Sequence, residues 1–211
     1  RIARAFATIR DPRQLVDEAA RRIQSAFGYS VVMIFQANQS DDRLVLQTFT
    51  GVEQAEDLVG FSVRAGKDGI VGMAASTRTP VVIDDVRSNP AYISSVSTQH
   101  IRSEIAVPLL REDRLLGVIN VASPEIGAFS AQDVSVLTTI ADQLAIALEN
   151  AELLREEQKR RTEVSLILNA SQAANSSLVL DDVLQRVASG IADATGQPSC
   201  GVYIFDEDRS R

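Results

Sequence analysis

The side chains that could do chemistry are few in this 211-residue chain. Two adjacent carboxylates, Asp84 and Asp85, follow the short apolar run PVVI, and Glu104 opens another apolar run. Paired carboxylates can act as general acid and base, but neighbouring residues of a strand point to opposite faces. An Asp that follows a strand usually bonds the backbone of its own turn. We therefore predict no catalytic residues and no enzymatic activity.

The chain also has few residues that could support metal or thiol chemistry. His100 is the only histidine and Cys200 the only cysteine, so a metal site built on clusters of these residues is not predicted. The stretch GIVG at 69–72 lacks the lysine that follows the glycines of a nucleotide-binding loop. One cysteine cannot close an internal disulfide and suits a reducing compartment, so we expect a cytoplasmic location.

Composition narrows the class of protein further. Hydrophobic residues make up 45% of the chain, enough for a sizeable core, and the formal net charge is -7. Nucleic-acid binding needs concentrated Lys and Arg, so no nucleic-acid partner is expected. No apolar run reaches the length of a membrane span, and we expect no direct membrane contact. The sequence opens with Arg1 instead of Met, from which we expect a fragment of a longer protein.

The first elements are predicted from caps and periodicity. Asp11 before Pro12 predicts a helix start, and Gly28 predicts its end. Apolar residues then fall on one helical face: Leu15, Val16, Ala19, Ala20, Ile23 and Phe27. The runs YSVVMIFQA and RLVLQTFT follow as strands joined by the turn NQSDD.

The middle of the chain mixes short elements with an irregular loop. Asp68 is a candidate cap for a short helix over 69–76, which ends before the strand PVVID. Residues 85–103 are the least regular stretch. The runs EIAVPLL and RLLGVINVAS then form a second hairpin around Glu112 and Asp113.

From Ala131 onward the pattern is helical. Apolar residues recur at spacings of three and four, a seam that suits a partner helix: Leu137, Ile140, Leu144, Ala147, Leu148, Ala151 and Leu154. The charged run REEQKRRTE contains no Gly or Pro to stop the helix. One long connecting helix is therefore predicted.

An internal repeat indicates the domain organisation. LVDEAARRIQSAFGYSVVMIF at 15–35 matches VLQRVASGIADATGQPSCGVYIF at 183–205, with an insertion of two residues. We expect the end of a preceding helix or linker at 1–10 and a complete domain at 11–154. A linker helix at 155–176 would follow, and then the truncated start of a second copy at 177–211, with the first helix and first strand of that copy.

Four phrases in a fixed order resemble the GAF domain family of sensory modules. They are GIVGMAASTRTPVVIDDV, RSEIAVPLL, LLGVINVAS and FSAQDVSVLTTIADQLAIALENAEL. The resemblance implies an α+β fold related to PAS domains. Its antiparallel sheet would have about six strands, with the N- and C-terminal helices on one face and a long linker helix after them. It also implies a tandem GAF region of a multidomain signalling protein, such as the sensor histidine kinase of a two-component system.

Several chemistries known in this family lack their residues here. Phe129 and Asp133 match the cyclic-nucleotide-binding pattern, but Ala122 and Ser123 stand where that pattern has Asn-Lys, and Val134 replaces Glu. Covalent bilin attachment and methionine sulfoxide reduction need pocket cysteines, and residues 1–199 contain none. Haem would depend on His100 alone.

The resemblance therefore implies non-covalent sensing or a purely architectural role. The implied pocket lies between the sheet and residues 68–104, and its candidate lining is Phe49, Phe61, Ile70, Met73, Ile93, His100 and Val107. The same side chains could instead simply fill a core. The expected function is a regulatory module that binds a small molecule or a neighbouring domain, with the cofactor unknown, and that pairs as a homodimer through its terminal helices. The alternative is a ligand-free dimerisation spacer.

Overall fold

The computed structural model describes residues 9, 11–38, 40–52, 58, 60–90, 92–93, 96–176 and 180–203. The chain divides into two units, Arg1–Leu153 and Leu154–Arg211. In chain order the elements of the first unit are α1 (Pro12–Phe27), β1 (Val31–Ala37), β2 (Arg43–Thr50), β3 (Ser62–Arg64), α2 (Gly69–Thr77), β4 (Val81–Ile83), β5 (Ser103–Arg111) and β6 (Arg114–Ser123). Single 3-10 turns lie at Val86–Ser88 and Val96–Thr98. Helix α3 (Ala131–Ser176) begins in the first unit and ends in the second, which also holds α4 (Leu180–Thr195).

Helix α1 begins and ends where its caps predict. The Asp11 carboxylate accepts hydrogen bonds from the backbone N–H groups of Arg13, at 2.8 Å, and Gln14, at 3.3 Å. These bonds satisfy two of the donors that a helix start leaves unpaired. Gly28 closes the helix at φ 70°, a left-handed conformation that glycine adopts without steric cost.

The six strands form one antiparallel sheet in the order β3-β2-β1-β6-β5-β4. Both predicted hairpins are present, β1 with β2 and β5 with β6. The first and last strands of these hairpins, β1 and β6, pair at the centre of the sheet. The predicted α+β, GAF-like sheet of about six strands is confirmed.

Two hydrophobic clusters cover the two faces of the sheet, because strand side chains alternate. On β5, Ile105, Val107 and Leu109 pack into the cluster that contains the buried faces of α1 and α3. Ala106 faces the other cluster, which holds α2 and Val86 from the irregular region. The N- and C-terminal helices therefore share one face, as predicted, and α2 with its loops covers the other.

The apolar seam of α3 packs inside its own domain. Leu137 and Leu144 are completely buried in the cluster shared with α1 and the sheet, and Ala151 is 1% exposed. The prediction that this seam awaits a partner helix is therefore wrong for residues 137–151. Periodicity identified the apolar face correctly, but the neighbouring elements of the same domain already cover it. Leu154, at the end of the predicted seam, is exposed.

Helix α2 lies close to the segment before it. A Cβ on Gly72 would lie 2.4 Å from the carbonyl oxygen of Arg64, so only glycine permits this approach. Asp68 occupies the N-cap position but makes no side-chain cap hydrogen bond. Its carboxylate instead accepts from the backbone N–H of Arg64 at 2.8 Å and pairs with that residue's guanidinium. The predicted capping by the Asp68 side chain is therefore wrong.

In the second unit, the last part of α3 and helix α4 approach each other around a small apolar pocket. Leu166 and Ala170 line it from α3, and Val187 and Ile191 from α4. The strand predicted from the internal repeat does not form over 199–203, the part of it that the structure describes. A strand needs a hydrogen-bonded neighbour, and the described part of this unit offers none. No described helix has the length and apolarity that a membrane span requires.

Candidate functional site

A cavity opens between the sheet and the elements that cover its α2 face. It measures about 50 Å³, or about 470 Å³ of unfilled space once its open mouth is included. Strands β1, β3, β5 and β6, the first turn of α2 and the irregular loop all contribute to its walls. The lining residues are Met33, Phe35, Leu58, Phe61, Val63, Asp68, Gly69, Ile70, Val71, Tyr92, Ile93, Thr98, Glu104 and Asn120.

Glu104 is a buried carboxylate on this mostly apolar wall. It is 6% exposed, and Asn120 beside it is 2% exposed. The Asn120 amide donates a long hydrogen bond of 3.4 Å to Glu104 Oε2. Burial raises the pKa of Glu104 to about 7, and the bond from Asn120 opposes part of that rise. Near neutral pH the cavity therefore holds a carboxyl group that readily gains or loses a proton.

Tyr92 brings a second polar group to the same wall. Its hydroxyl is shielded from solvent and makes no hydrogen bond of ordinary geometry with a described residue. Burial, and then the nearby Glu104 carboxylate, raise the pKa of Tyr92 to about 12, while the Thr98 hydroxyl partly opposes this rise. A buried hydroxyl without a good partner costs free energy, which a hydrogen-bonding ligand would recover.

Three of the seven predicted lining residues lie on the cavity wall. Phe61, Ile70 and Ile93 come together there from β3's preceding loop, α2 and the irregular segment. Phe49 packs, half-buried, against the same hydrophobic cluster but is not part of the wall. Whether any of these side chains binds a ligand stays a prediction.

The other three predicted lining residues lie away from the cavity. Val107 faces α1 and α3, because it is an odd number of residues from Glu104 on the same strand. Met73 lies beyond the first turn of α2, which is the part of that helix that reaches the cavity. His100 is exposed, whereas Thr98, the last residue of the second 3-10 turn, and Ile101 are buried.

The polar residues of the wall were missed as ligand-binding candidates. Glu104 was weighed only for acid–base chemistry. Carboxylates are rarely buried without a partner, so a Glu at the start of the apolar run IAVPLL is unusual. That unusual position could have marked Glu104 as a ligand-binding candidate. Asn120, in the run GVINVAS, offered a similar signal. Tyr92 and Thr98 come from an irregular loop, where periodicity gives no information about direction.

The remaining candidates for chemistry have structural roles outside the cavity. Asp85 accepts from the backbone N–H of Arg87 and pairs with the Arg102 guanidinium at 3.1 Å, so it organises its own turn. The carbonyl of the exposed Asp84 accepts from Gly127 N–H. The described residues contain no group of three or more His, Cys, Asp or Glu that could hold a metal ion.

The two residues that match the cyclic-nucleotide pattern also have structural partners. Phe129 is buried in the cluster with α1 and α3, where its ring lies 6.1 Å from that of Tyr29. Asp133 accepts a 2.7 Å hydrogen bond from the Tyr29 hydroxyl and a 2.9 Å bond from the backbone N–H of Ser130. These contacts fasten the start of α3 to the end of α1.

Comparison with known proteins agrees with this architecture. The family model described as "GAF domain" matches residues 9–149. The chain belongs to the GAF domain family. GAF domain-containing protein A of Dictyostelium discoideum is 28% identical over 106 residues, which is 50% of this chain and 62% of that protein. The chain thus spans less than two thirds of that relative's length.

Solved GAF structures with the same fold include regulatory modules and enzymes. The GAF domain of the Acinetobacter phosphoenolpyruvate-protein phosphotransferase is 20% identical with a TM-score of 0.62, covering 72% of this chain and 90% of that one. Free methionine-R-sulfoxide reductase of Neisseria meningitidis, solved with its substrate, is 26% identical with a TM-score of 0.64. That match covers 72% of this chain and 87% of the reductase. GAF domains are regulatory modules of signalling proteins, and some members with this fold are enzymes.

Proposed function

We propose that this GAF domain is a regulatory module that binds a small molecule non-covalently in the cavity and acts on adjacent signalling domains through α3. The observation that carries the proposal is Glu104, a buried carboxylate that faces open space and has one long hydrogen bond with the described residues. A buried polar group without good partners is costly, and such groups concentrate at functional sites. A core that merely filled space would favour an apolar residue here.

The cavity favours a small ligand with a cationic or hydrogen-bond-donating end. Roughly 10–15 Å³ accommodates one water molecule, so about 50 Å³ takes a group of only a few heavy atoms. A primary ammonium would pair with the Glu104 carboxylate, and its short apolar chain would contact Phe61 and Ile70. The Neisseria reductase was solved with its substrate, but redox turnover is not proposed here because residues 1–199 contain no cysteine.

A titration of the full chain with n-propylammonium at pH 8 tests this proposal. Backbone NMR shifts are expected at residues of the cavity wall, and 1-propanol, a neutral counterpart, should bind at least about tenfold more weakly. Glu104→Gln should remove the preference for the amine, while Asp84→Asn, which alters an exposed carboxylate, should keep it. Equal binding of amine and alcohol would contradict a role for the carboxylate. No shift with either compound would favour the ligand-free spacer.

We also propose that two copies pair through the outward face of α3. Ile146 is 40% exposed and Leu153 58% exposed, and both lie opposite the buried face of the helix. With Val164 and Ile167, which are also exposed, they fall on the a and d positions of one heptad register. Exposed Asn150 takes an a position, where asparagine is typical of parallel two-stranded coiled coils.

The charges along α3 support the same register. Glu156 and Arg161 fall on g and e positions, where residues of opposite charge pair across a parallel two-stranded coiled coil. Glu157 and Arg160 occupy adjacent a and d layers and bring opposite charges together in the seam. We propose a dimeric setting within a multidomain signalling protein, such as a cytoplasmic sensor histidine kinase with tandem GAF domains.

Sedimentation of the full chain at tens of micromolar tests the pairing. Wild-type protein is expected to sediment as a dimer. Ile167→Glu should shift it towards monomer by placing like charges in the seam. Thr162→Glu, at an exposed f position, should leave the dimer intact. A wild-type monomer, or equal effects of the two substitutions, would contradict this interface.

A further inference from the structure

We propose that Arg78 mechanically couples the cavity to the part of α3 that precedes Leu153. This inference rests on the proposed function, in which the cavity is the sensing site and α3 the output. The connection is a series of contacts that starts at the first turn of α2, passes through Arg78 to the β5–β6 turn, and ends on Glu149 and Glu152. Each contact lies within the first unit.

The cavity end of this series is the first turn of α2. Gly69, Ile70 and Val71 line the cavity, so a ligand that enters it contacts this helix directly. The helix has nine residues and is about 13 Å long. The carbonyl of Gly72 accepts a 2.7 Å hydrogen bond from Gly66 N–H, and its Cα packs on the Arg64 carbonyl. Helix α2 is therefore a short, tightly held body that transmits displacement from one end to the other.

The far end of α2 carries Arg78. This residue closes the helix at φ 56°, a left-handed conformation that residues other than glycine rarely adopt. Its guanidinium donates a hydrogen bond to the backbone carbonyl of Asp113, in the turn between β5 and β6. The neighbouring Glu112 also has a left-handed φ, of 50°. Unfavourable backbone conformations persist where surrounding contacts hold them, and they are common in switch regions.

The two residues that flank the same β5–β6 turn form ion pairs with α3. Arg111, the last residue of β5, pairs with Glu149 of α3, with 2.7 Å between Nε and Oε2. Arg114, the first residue of β6, lies 3.4 Å from Glu152, which also accepts a 3.2 Å hydrogen bond from the Gln36 side chain. A shift of the turn would therefore change the ion pairs that hold α3 near Leu153, where the first unit ends.

Arg78 is the link that can be removed without disturbing the elements it joins. Glycine is the residue that best suits a left-handed helix end, so Arg78→Gly should retain the end of α2 and remove only the guanidinium. Asp113→Ala is the matched control, because the acceptor is the main-chain carbonyl, which this substitution keeps. The two variants thus separate the hydrogen bond from a general effect of altering either segment.

Amide hydrogen exchange in the full chain tests the coupling without any ligand. Ile70→Ala perturbs the cavity end of α2, and the milder Ile70→Val serves if the alanine variant fails to fold. In the wild-type and Asp113→Ala backgrounds, the perturbation should change exchange at 149–153 by about threefold or more relative to the core strand β6. In the Arg78→Gly background this difference should vanish. Normalisation to β6 removes any global loss of stability, which would alter both regions equally.

Coupling between two sites is reciprocal, so the same contacts can also be tested in the opposite direction, from α3 to the cavity. Glu149→Gln should change exchange in the first turn of α2, again only where Arg78 is present. An unchanged ratio at 149–153 in the wild-type background, or the same change with and without Arg78, would overturn the proposal. A failure of n-propylammonium to bind would count against the proposed ligand and leave this result unaffected.

Discussion

Glu104 links burial to pH more directly than any other described side chain. Its pKa is about 7 in the folded chain, against 4.5 for an ordinary Glu, because burial disfavours the charged carboxylate. Below about pH 4.5 the carboxyl group is protonated in both the folded and the unfolded state, so its burial carries no cost of removing a charge from water. As the pH rises towards 7 and beyond, the unfolded state ionises more readily and the folded state loses stability. Glu104 therefore opposes folding at alkaline pH.

Substitution of Glu104 by Gln should stabilise the protein in a pH-dependent way. The rise in pKa from 4.5 to about 7 corresponds to about 3 kcal/mol at pH 8, with little effect of this kind at pH 4.5. Denaturant unfolding at the two pH values measures the difference, and Asp84→Asn provides an exposed control that should show no such gain. A stability change for Glu104→Gln that is the same at both pH values would contradict this description of the carboxylate.

At this scale the sequence predicted the apolar part of the site better than its polar part. Phe61, Ile70 and Ile93 were named from the sequence and lie on the cavity wall, although only Ile70 is buried and Ile93 is 43% exposed. Val107 and Glu104 show the limit. Alternation along β5 puts them on opposite faces, but alternation alone does not say which face carries the cavity.

Helix α2 shows how strongly one glycine can determine the position of an element. A Cβ at Gly72 would lie 2.4 Å from a backbone oxygen, which cannot yield as a flexible side chain would. Gly72→Ala should therefore destabilise the protein by about 1–3 kcal/mol or more, and Gly72→Leu by more still. The altered position of α2 should also disturb the cavity that it lines.

Gly190 supplies the matched control for that prediction. It lies within helix α4, and a Cβ there would meet no atom within 4 Å. Gly190→Ala should be neutral or stabilising by up to about 1 kcal/mol, because alanine favours a helix more than glycine does. Thermal unfolding of both variants measures the contrast. Equal effects of the two substitutions would show that close approach at Gly72 is not what excludes a side chain.

The elements themselves were largely predictable, because caps and periodicity act locally. Asp11 and Gly28 bound α1 as predicted, and both hairpins form where turn residues separate apolar runs. The seam of α3 shows what local signals omit. Leu144 and Leu148 repeat with helical spacing whether a partner chain or the same domain covers them, and here the domain's own sheet and α1 do so. The exposed face that contains Ile146 could be identified only after the structure showed that the sheet and α1 cover the face of Leu144 and Leu148.

For the whole molecule, the proposed function requires a cavity on one face of the sheet to influence helices on the other. No described side chain of α1 or α3 lines the cavity, so we expect a ligand there to act on these helices through the sheet or around its edge. The contacts from α2 through Arg78 to Glu149 are the route that we propose around the edge. A ligand shifts such an equilibrium only as far as it binds one arrangement better than the other. The sequence predicted the GAF architecture but gave no indication of this route, since it depends on contacts between residues distant in the chain.

Proton release on ligand binding tests the central claim, that the cavity recognises a small cation through Glu104. With a pKa of about 7, most Glu104 side chains are protonated at pH 6, so n-propylammonium must displace a proton to form an ion pair. Calorimetric titrations at pH 6 in buffers of different ionisation enthalpy measure that release. We predict release of close to one proton by the wild-type chain, none by Glu104→Gln, and tighter binding to the wild type at pH 8. Binding without proton release, at an affinity independent of pH and of Glu104, would contradict the account.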